Sequence, residues 1–239
     1  MAWSDTVARY RRSILGPFWT AGTMAGTSIS LAFVFGSIFG EPLHEVLPYI
    51  MAGLVTWQIA ALYLYEGPEV FIGQAGAIQN NALPTSFYLF RYVTRALITL
   101  AHNLVVLGVT LLVLRYFVGI HWQVIPGLIL LIIFATFASG LAGLVAARFR
   151  DVRFMLPQLG QLLFFLTPIF WRPEAVSPER AGVYLYNPMY YMLSIVRDPL
   201  LGKGLPPTVW AVAAIIVAVT IAAYFIAFAL YRRRLPFWL

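Results

Sequence analysis

The amino-acid sequence predicts an all-α integral membrane protein with six transmembrane helices. Of its 239 residues, 61% are hydrophobic and only 10% are charged, whereas soluble proteins carry about 25% charged residues. Six uncharged stretches have roughly the 20 apolar residues that a spanning helix needs, and they lack the alternating polarity of membrane β-strands. The segments between them are too short for a soluble catalytic domain, which needs on the order of 100 residues. We therefore expect the protein to act within or at the bilayer.

The six spans are predicted at about residues 18–39, 47–66, 92–117, 124–147, 154–172 and 207–231. An even number of spans places both termini on one side, and Lys and Arg are retained on the cytoplasmic side. With both termini in the cytoplasm, the inner side holds eleven of the sixteen Lys and Arg residues, namely Arg9, Arg11, Arg12, Arg91, Arg95, Arg148, Arg150, Arg153, Arg232, Arg233 and Arg234. We therefore predict cytoplasmic termini.

A basic amphipathic helix is predicted over residues 3–15, before the first span. Its apolar residues recur at helical spacing, at Trp3, Val7, Tyr10 and Ile14. Such a helix would lie in the inner interface with its apolar side in the lipid. Three of its basic residues would then reach anionic headgroups, namely Arg9, Arg11 and Arg12. A disordered basic leader is the alternative.

The segment between spans two and three is uncharged but too polar to cross a membrane. It is bounded by Gly67-Pro68 and by Pro84, which punctuate helices. Between them lie several amide side chains, Gln74, Gln79, Asn80 and Asn81. Counting this segment as a span would also reverse the orientation of every later loop. We predict a short cytoplasmic helix, or elbow, at about residues 73–84.

A long segment on the outer side separates spans five and six. It runs over residues 172–205 and contains an apolar patch around Asn187-Pro188. An apolar segment of this kind is not expected to extend into water. We predict two short helices at about residues 177–200 that dip into the outer leaflet without crossing it, an arrangement tolerated where the backbone is buried in protein or lines a cavity.

Several enzyme and transporter motifs are missing from the sequence. It has no cysteine, no G-x-x-x-x-G-K-[ST] motif for ATP and no histidine cluster for a metal. None of its nine acidic residues falls in the middle of a span, which argues against ion-coupled transport because coupling carboxylates usually lie there. The basic residues are scattered along predicted membrane edges, so nucleic-acid binding is not expected. An intramembrane lipid-modifying enzyme stays as an alternative, with Glu66 and Glu69 as its candidate acids.

The first span and the aromatic residues supply the candidates for a passage through the membrane. The first span carries hydroxyl side chains that are unusual on a lipid-facing helix, among them Thr23, Thr27 and Ser30. It is predicted either to pack closely against another helix or to border a passage. Rings near span ends are mostly explained by the interfacial belt. Rings also bind the C–H faces of sugars, and the candidates for that role are Phe33, Phe35, Phe164, Phe165, Phe170, Trp171, Tyr190 and Tyr191.

The pair His102-Asn103 is the most polar one inside a predicted span. We predict that it forms an interhelical hydrogen bond, which typically contributes about 0.5 to 2 kcal/mol in membranes. A role facing a channel is the alternative.

Short motifs follow one another in order along nearly the whole chain. The first is RYRRSILGPFW, from Arg9 to Trp19, and the second is Asn80 to Pro84, which is followed by Arg91 and by His102-Asn103. The later ones are Arg150-Asp151-Val152, Pro168 to Trp171, Asn187-Pro188-Met189, Arg197-Asp198 and Arg232 to Leu239. In this order and in these predicted compartments, they resemble the permease subunits of ABC-2 type exporters for cell-surface polysaccharides. That group includes the exporters of O-antigen, capsule and teichoic acid.

The resemblance implies a homodimer of six-span subunits above two separate ABC ATPase subunits. ATP and Mg²⁺ would bind to those ATPases, and no cofactor is expected in this chain. Spans one and five would line a passage at the dimer axis, and the outer helices at 177–200 would gate it. The elbow at 73–84 would be the coupling helix received by the ATPase, through Gly73, Gln74, Gln79, Asn80, Asn81 and Pro84.

The function implied by the resemblance is export of a lipid-linked polysaccharide across the bacterial inner membrane. The glycan would arrive on an undecaprenyl pyrophosphate carrier, and membrane lipids would surround the protein. Three arginines would attract the pyrophosphate, in addition to their role in topology and headgroup anchoring: Arg9, Arg11 and Arg12. An ABC-2 permease that moves another amphiphile, such as a drug or a small glycolipid, is the alternative.

Overall fold

The computed structural model describes residues 18–80, 83–116 and 119–239. Within these residues all regular elements are helical, and no β-strand occurs among them. The all-α prediction is therefore confirmed for this part of the chain. Several predicted features lie outside the described residues: the interface helix at 3–15 with Arg9, Arg11 and Arg12, the elbow residue Asn81, and the last residue of the third predicted span.

The described helices are, in chain order, α1 (Phe18–Phe39), α2 (Leu43–Ala60), α3 (Leu62–Tyr65), α4 (Glu69–Ile72), α5 (Ala75–Asn80), α6 (Thr85–Val113), α7 (Val124–Arg148), α8 (Val152–Leu166), α9 (Gly182–Leu185), α10 (Pro188–Leu200), α11 (Pro207–Tyr231) and α12 (Leu235–Trp238). Two short 3₁₀ turns precede α9, at Pro173–Ala175 and Pro178–Arg180.

Four of the described helices are long and apolar enough to cross a membrane, namely α1, α6, α7 and α11. The second predicted span is divided at Ala61 between α2 and α3, and α2 carries the polar residues His44, Glu45 and Gln58. The fifth predicted span, 154–172, is helical only to Leu166. With 15 residues, α8 is about 22 Å long, less than the bilayer core of about 30 Å. The count of six spans therefore stays a prediction.

The third long helix begins earlier than the sequence pattern indicates. The third span was predicted from residue 92, whereas α6 starts at Thr85, directly after Pro84. Tyr88 and Leu89 of its first turns are buried together with Phe71 of α4, in a hydrophobic cluster that is separate from the core around α2. Packing between segments that are distant in sequence therefore extends the helix into a region that looked like part of the loop.

Helix α2 forms the centre of the molecule. From Val46 to Ala61 all of its residues are buried except Gln58. It packs against α1, α6, α7 and α10. A helix surrounded on all sides has apolar residues around its whole circumference, which explains why this short helix is hydrophobic without facing lipid. After the exposed first turn at Leu43–Glu45, Gln58 is the one exposed position of α2, and it marks the direction in which the helix is not covered.

Helices α1 and α8 lie at the edge of this core and are largely uncovered. Along α1 the buried residues recur every three or four positions, as Ala21, Met24, Ser28, Ala32 and Gly36. Along α8 only Gly160 is fully buried, where it packs against Tyr65 and Leu64. The remaining faces of both helices are therefore open in the single chain.

Gly127 marks the closest approach between α7 and α10. A Cβ atom placed there would collide with the carbonyl oxygen of Ile195, so the two helices would have to separate. We expect Gly127→Ala to destabilise the protein by about 1–3 kcal/mol, the usual effect of overpacking. Thermal unfolding in detergent would measure this. The control is Gly108→Ala, where an added Cβ meets no atom within 4 Å, and equal unfolding midpoints for the two variants would contradict the prediction.

Candidate functional site

A cavity of about 630 Å³ lies between α1, α2 and α8. Its volume falls in the range of about 300–1,000 Å³ that is typical of ligand sites. Four of the residues predicted to face a passage line it, namely Thr23, Thr27, Phe164 and Phe165. The sequence analysis did not select the other seven: Thr20, Met24, Leu54, Trp57, Gln58, Tyr65 and Gln161.

The threonines of α1 present hydrogen-bond acceptors to this cavity. The hydroxyl of Thr23 donates to the carbonyl oxygen of Trp19 at 3.0 Å, and that of Thr27 donates to the carbonyl oxygen of Thr23 at 2.9 Å. Since each hydroxyl hydrogen is used within the helix, the oxygens have only lone pairs left for a ligand. The exposed side chains that offer donor groups in this wall are the amides of Gln58 and Gln161 and the hydroxyl of Tyr65.

Asn103 makes the interhelical hydrogen bond that the sequence predicts. Its Nδ2 donates to Oε1 of Gln58 on α2, and Asn103 itself is completely buried. The neighbouring His102 behaves differently, because its Nδ1 lies 2.7 Å from the carbonyl oxygen of Ile98 in its own helix. Gln58 was missed in the sequence, although a glutamine inside an apolar span is itself a signal.

Four of the predicted aromatic residues form one continuous cluster beside the cavity. The rings of Phe35 and Phe170 stack with centroids 4.6 Å apart. Phe170 also contacts Phe164 at 5.6 Å and Phe165 at 5.9 Å. Trp57 of α2 meets Phe164 edge-on at 5.7 Å. Ring faces from α1, α2 and α8 are therefore joined into one aromatic surface, in geometries that such pairs favour.

The other predicted aromatic residues lie in two different places. Trp171, Tyr190 and Tyr191 belong to a second group of rings that is linked through Tyr184, which contacts Trp171 at 6.3 Å and Tyr190 at 5.1 Å. Phe33 is 69% exposed and does not line the cavity. Ser30 is likewise exposed on α1 and outside the cavity wall. The structure thus does not bring these two residues to the candidate site.

The predicted elbow at 73–84 contains the short helix α5, and α4 directly precedes it. Two ion pairs hold the chain on the amino-terminal side of the elbow. Oε2 of Glu66 pairs with Arg95 of α6 at 2.8 Å. Oε1 of Glu69 pairs with Arg153 of α8 at 2.9 Å. Both pairs are partly exposed, so each contributes little stability alone. They nevertheless connect the chain that leads into the elbow to α6 and α8, and α8 forms one wall of the cavity.

The elbow helix α5 packs against α12, the last helix of the described chain. Ile78 of α5 and Leu235 of α12 are buried in the same hydrophobic cluster, and the hydroxyl of Tyr88 donates to the carbonyl oxygen of Ala77 at 3.0 Å. Gln74 is partly exposed. The outward surface of the segment is formed by Gly73, Gly76, Gln79, Asn80 and Pro84, which are all exposed. Four of these residues were predicted to contact a partner subunit.

Comparison with known proteins places this architecture in a family. The family model described as "ABC-2 type transporter" matches residues 1–201. That match covers α1 through α10, and therefore all helices that form the cavity and the elbow. The chain belongs to the ABC-2 type transporter family. It is accordingly a membrane component of a transporter and not itself a catalytic enzyme.

Two curated proteins resemble this ABC-2 family member over most of their length. Both are named O-antigen export system permease protein RfbA and come from Klebsiella pneumoniae. One is 23% identical to the chain and the other 21%, each over 196 residues, which is 81% of this chain and 76% of the relative. The resemblance to polysaccharide export permeases that the ordered motifs indicated is therefore supported, at low identity.

Three of the motifs that indicated the ABC-2 family meet in a buried polar cluster. Arg197 is 2% exposed, and its Nη1 donates to the carbonyl oxygen of Pro168. Its guanidinium also lies 4.5 Å from the ring centroid of Tyr49. The hydroxyl of Tyr49 donates to the carbonyl oxygens of Pro168 and Trp171 at 3.3 and 3.1 Å. Asn187 completes the cluster by donating to the hydroxyl of Thr167 at 2.9 Å.

Arg197 remains charged in this buried position. Burial is the largest single influence and lowers the pKa of its guanidinium, but the carboxylate of Asp198, 2.7 Å away, together with Tyr49 and Tyr190 raises that pKa by more, so the net direction is upward. A buried charge requires such a partner because desolvation disfavours the ionised form. The cluster therefore holds both ends of α10, through Asn187 and Arg197, to the chain after α8, and Tyr49 joins that chain to α2.

The described residues contain no group of three or more side chains suited to hold a metal ion.

Proposed function

We propose that this chain is the permease subunit of an ATP-driven exporter that moves a lipid-linked polysaccharide from the cytoplasmic side across the bacterial inner membrane. The observation that carries the proposal is the composition of the cavity wall. It combines the ring faces of Phe164 and Phe165 with hydroxyl and amide groups of α1, α2 and α8. Sugars have apolar C–H faces and many hydroxyl groups, so both kinds of surface are used when a glycan binds. The printed function of the two relatives, O-antigen export, agrees with this choice.

A homodimer is part of the proposal, because the open faces of α1 and α8 need a cover. On α1, a Cβ added at Gly22 or at Gly26 would meet no atom within 4 Å. Small residues at this spacing allow the backbones of two membrane helices to approach closely. A second copy placed against these faces would close the cavity from the lipid and turn it into a passage.

Two separate ABC ATPase subunits would supply the energy, and they would bind the ATP and Mg²⁺ that this chain has no motif for. The exposed elbow at 73–84 is the proposed coupling segment. A push on it would reach α6 through Glu66–Arg95 and α8 through Glu69–Arg153. Both termini would lie in the cytoplasm, on the side of the ATPases, with six spans in each copy. The helices around 177–200 would gate the outer end of the passage.

The test is complementation combined with purification. A strain that lacks the gene for this chain is supplied with the wild-type gene, and polysaccharide on the cell surface is measured. The protein is also purified in detergent together with its cognate ABC ATPase. Restored surface polysaccharide and a complex of two permeases with two ATPases would support the proposal. Export of a drug or a small glycolipid without surface polysaccharide would favour the alternative amphiphile, and a chain that purifies without any ATPase would refute both.

A first prediction from the proposal concerns the basic residues ahead of α1. The triple variant Arg9→Ala/Arg11→Ala/Arg12→Ala removes the charges proposed to attract the carrier pyrophosphate. Each arginine near an anionic headgroup contributes about 1 kcal/mol, so surface polysaccharide should fall by at least about tenfold. Copurification with the ATPase should remain intact. The control removes the same charge elsewhere, with Arg232→Ala/Arg233→Ala/Arg234→Ala, and equal export by both triple variants would contradict the prediction.

A further inference from the structure

Gln58 is an exposed polar residue on an otherwise buried stretch of α2, and it faces the cavity. It is the one exposed residue of α2 between Val46 and Ala61, and it lines the cavity between α1 and α8. The rest of this stretch of α2 is packed against other helices, so Gln58 carries the exposed amide that the central helix presents there. It lies next in sequence to Trp57, whose ring contacts Phe164.

The orientation of the Gln58 amide is fixed by Asn103. The Nδ2 of Asn103 donates to Oε1 of Gln58, which holds that oxygen toward α6. That bond uses only the oxygen of the Gln58 amide, so its NH₂ group is left to donate to another acceptor. Asn103 is completely buried, and its Oδ1 has no hydrogen-bond partner.

The Oδ1 atom of Asn103 is buried without a hydrogen-bond partner, so the amide at this position has an energetic cost. A buried polar atom without a partner is destabilising, and an apolar pair at 58 and 103 would avoid that cost. If the pair only joined α2 to α6, leucines would serve as well. An amide at position 58 is required only where something in the cavity uses it. On α1, Thr23 and Thr27 offer the cavity no donor, since both donate within their helix.

We propose that Gln58, held in place by Asn103, donates a hydrogen bond to oxygen atoms of the sugar that lies against Phe164, and so determines that the passage accepts a glycan. Gln58 is then a contact residue, and Asn103 is a positioning residue that acts through it. This inference rests on the proposed function. A hydrogen bond that every sugar unit can accept suits a polymer that must slide, because no particular hydroxyl pattern is required.

The test uses the complex of this chain with its ABC ATPase in lipid nanodiscs. The probe is the undecaprenyl-linked polysaccharide that accumulates in the inner membrane of a strain lacking the chain, and undecaprenyl diphosphate without sugar is the comparison. The variant is Gln58→Leu/Asn103→Leu, which removes both amides and leaves no stranded partner. Thr136→Val is the control, since its hydroxyl bonds within α7 at 2.7 Å and does not line the cavity.

We expect the double variant to require about tenfold more lipid-linked polysaccharide for half-maximal stimulation of ATP turnover, the effect of one lost hydrogen bond. Its complex formation and its response to the sugar-free carrier should match those of the wild type, and Thr136→Val should leave the half-maximal concentration unchanged. Asn103→Leu alone should show the same shift, without adding to it in the double variant. An unchanged half-maximal concentration would overturn the proposal, as would a shift that the sugar-free carrier shares. If the wild type is not stimulated by the polysaccharide at all, the proposed function fails instead.

Discussion

Replacing Gly76 with tryptophan should prevent the ATPase from docking and abolish export. Gly76 is exposed on α5, and a Cβ added there would meet no atom within 4 Å. The chain itself can therefore accommodate a large side chain at this position, which would project from the proposed coupling segment into the space that the partner needs. We expect the affinity for the ATPase to fall by roughly 30-fold or more, corresponding to about 2 kcal/mol at an interface hot spot. Copurification and ATP turnover in the presence of the polysaccharide would measure the effect.

Gly76→Ala is the matched control for this experiment. It changes the same position but adds one methyl group to open space, and helix propensity favours alanine. We expect a normal complex and normal export. A tryptophan variant that binds the ATPase and exports as the wild type does would show that the elbow is not the docking surface. Unfolding midpoints of the two variants should agree, because neither side chain enters the core.

Replacing Arg197 with methionine should strongly destabilise the protein. The change removes the partner of Asp198, whose side chain is only 16% exposed, and it frees the carbonyl oxygen of Pro168. Breaking a buried ion pair by removing one partner typically costs about 3–5 kcal/mol, because the other charge stays buried and uncompensated. We expect low yield in the membrane and a markedly lower midpoint of thermal unfolding in detergent.

Two further variants distinguish the buried charge from a general effect of losing an arginine. Arg172→Met breaks the ion pair with Glu41, in which both side chains are about one-third exposed. A pair of this kind contributes roughly 0–1 kcal/mol, so the unfolding midpoint should change little. Arg197→Met/Asp198→Asn removes the stranded carboxylate and should recover part of the lost stability. Equal destabilisation by Arg172→Met and Arg197→Met would contradict the prediction.

The break in the chain after the second predicted span was predictable because its signal is local, whereas the role of residues 73–84 as an elbow stays a prediction. Amide side chains between Pro68 and Pro84 exclude a spanning helix, and prolines limit any helix between them. The structure places α4 and α5 in this segment. The start of α6 was not predictable in the same way. Thr85 through Arg91 contains no strong signal, and burial of Tyr88 and Leu89 against Phe71 determines that the helix begins there.

The candidate site was predicted only in part, for a comparable reason. The hydroxyl groups of α1 and the rings of α8 are conspicuous in the sequence, and four of them line the cavity. Phe33 is an aromatic residue in the same predicted span, but it lies on a face of α1 that points away from the cavity, and it is 69% exposed. Gln58 and Gln161 were missed, since a single glutamine in an apolar segment does not reveal which way it faces. That direction depends on which neighbours cover the rest of the helix.

The sequence by itself determined that this protein is helical, that it belongs in a membrane, and that it has no ATP-binding motif of its own. These conclusions rest on composition, on the lengths of uncharged stretches and on local motifs, which do not depend on how the helices pack. Only the tertiary structure decided which partner Asn103 has, that Arg197 is buried and donates to the carbonyl oxygen of Pro168, and that α1, α2 and α8 together line an open cavity. Each of these contacts joins residues about 30 or more positions apart, and the pairing follows from the fit of whole helix surfaces.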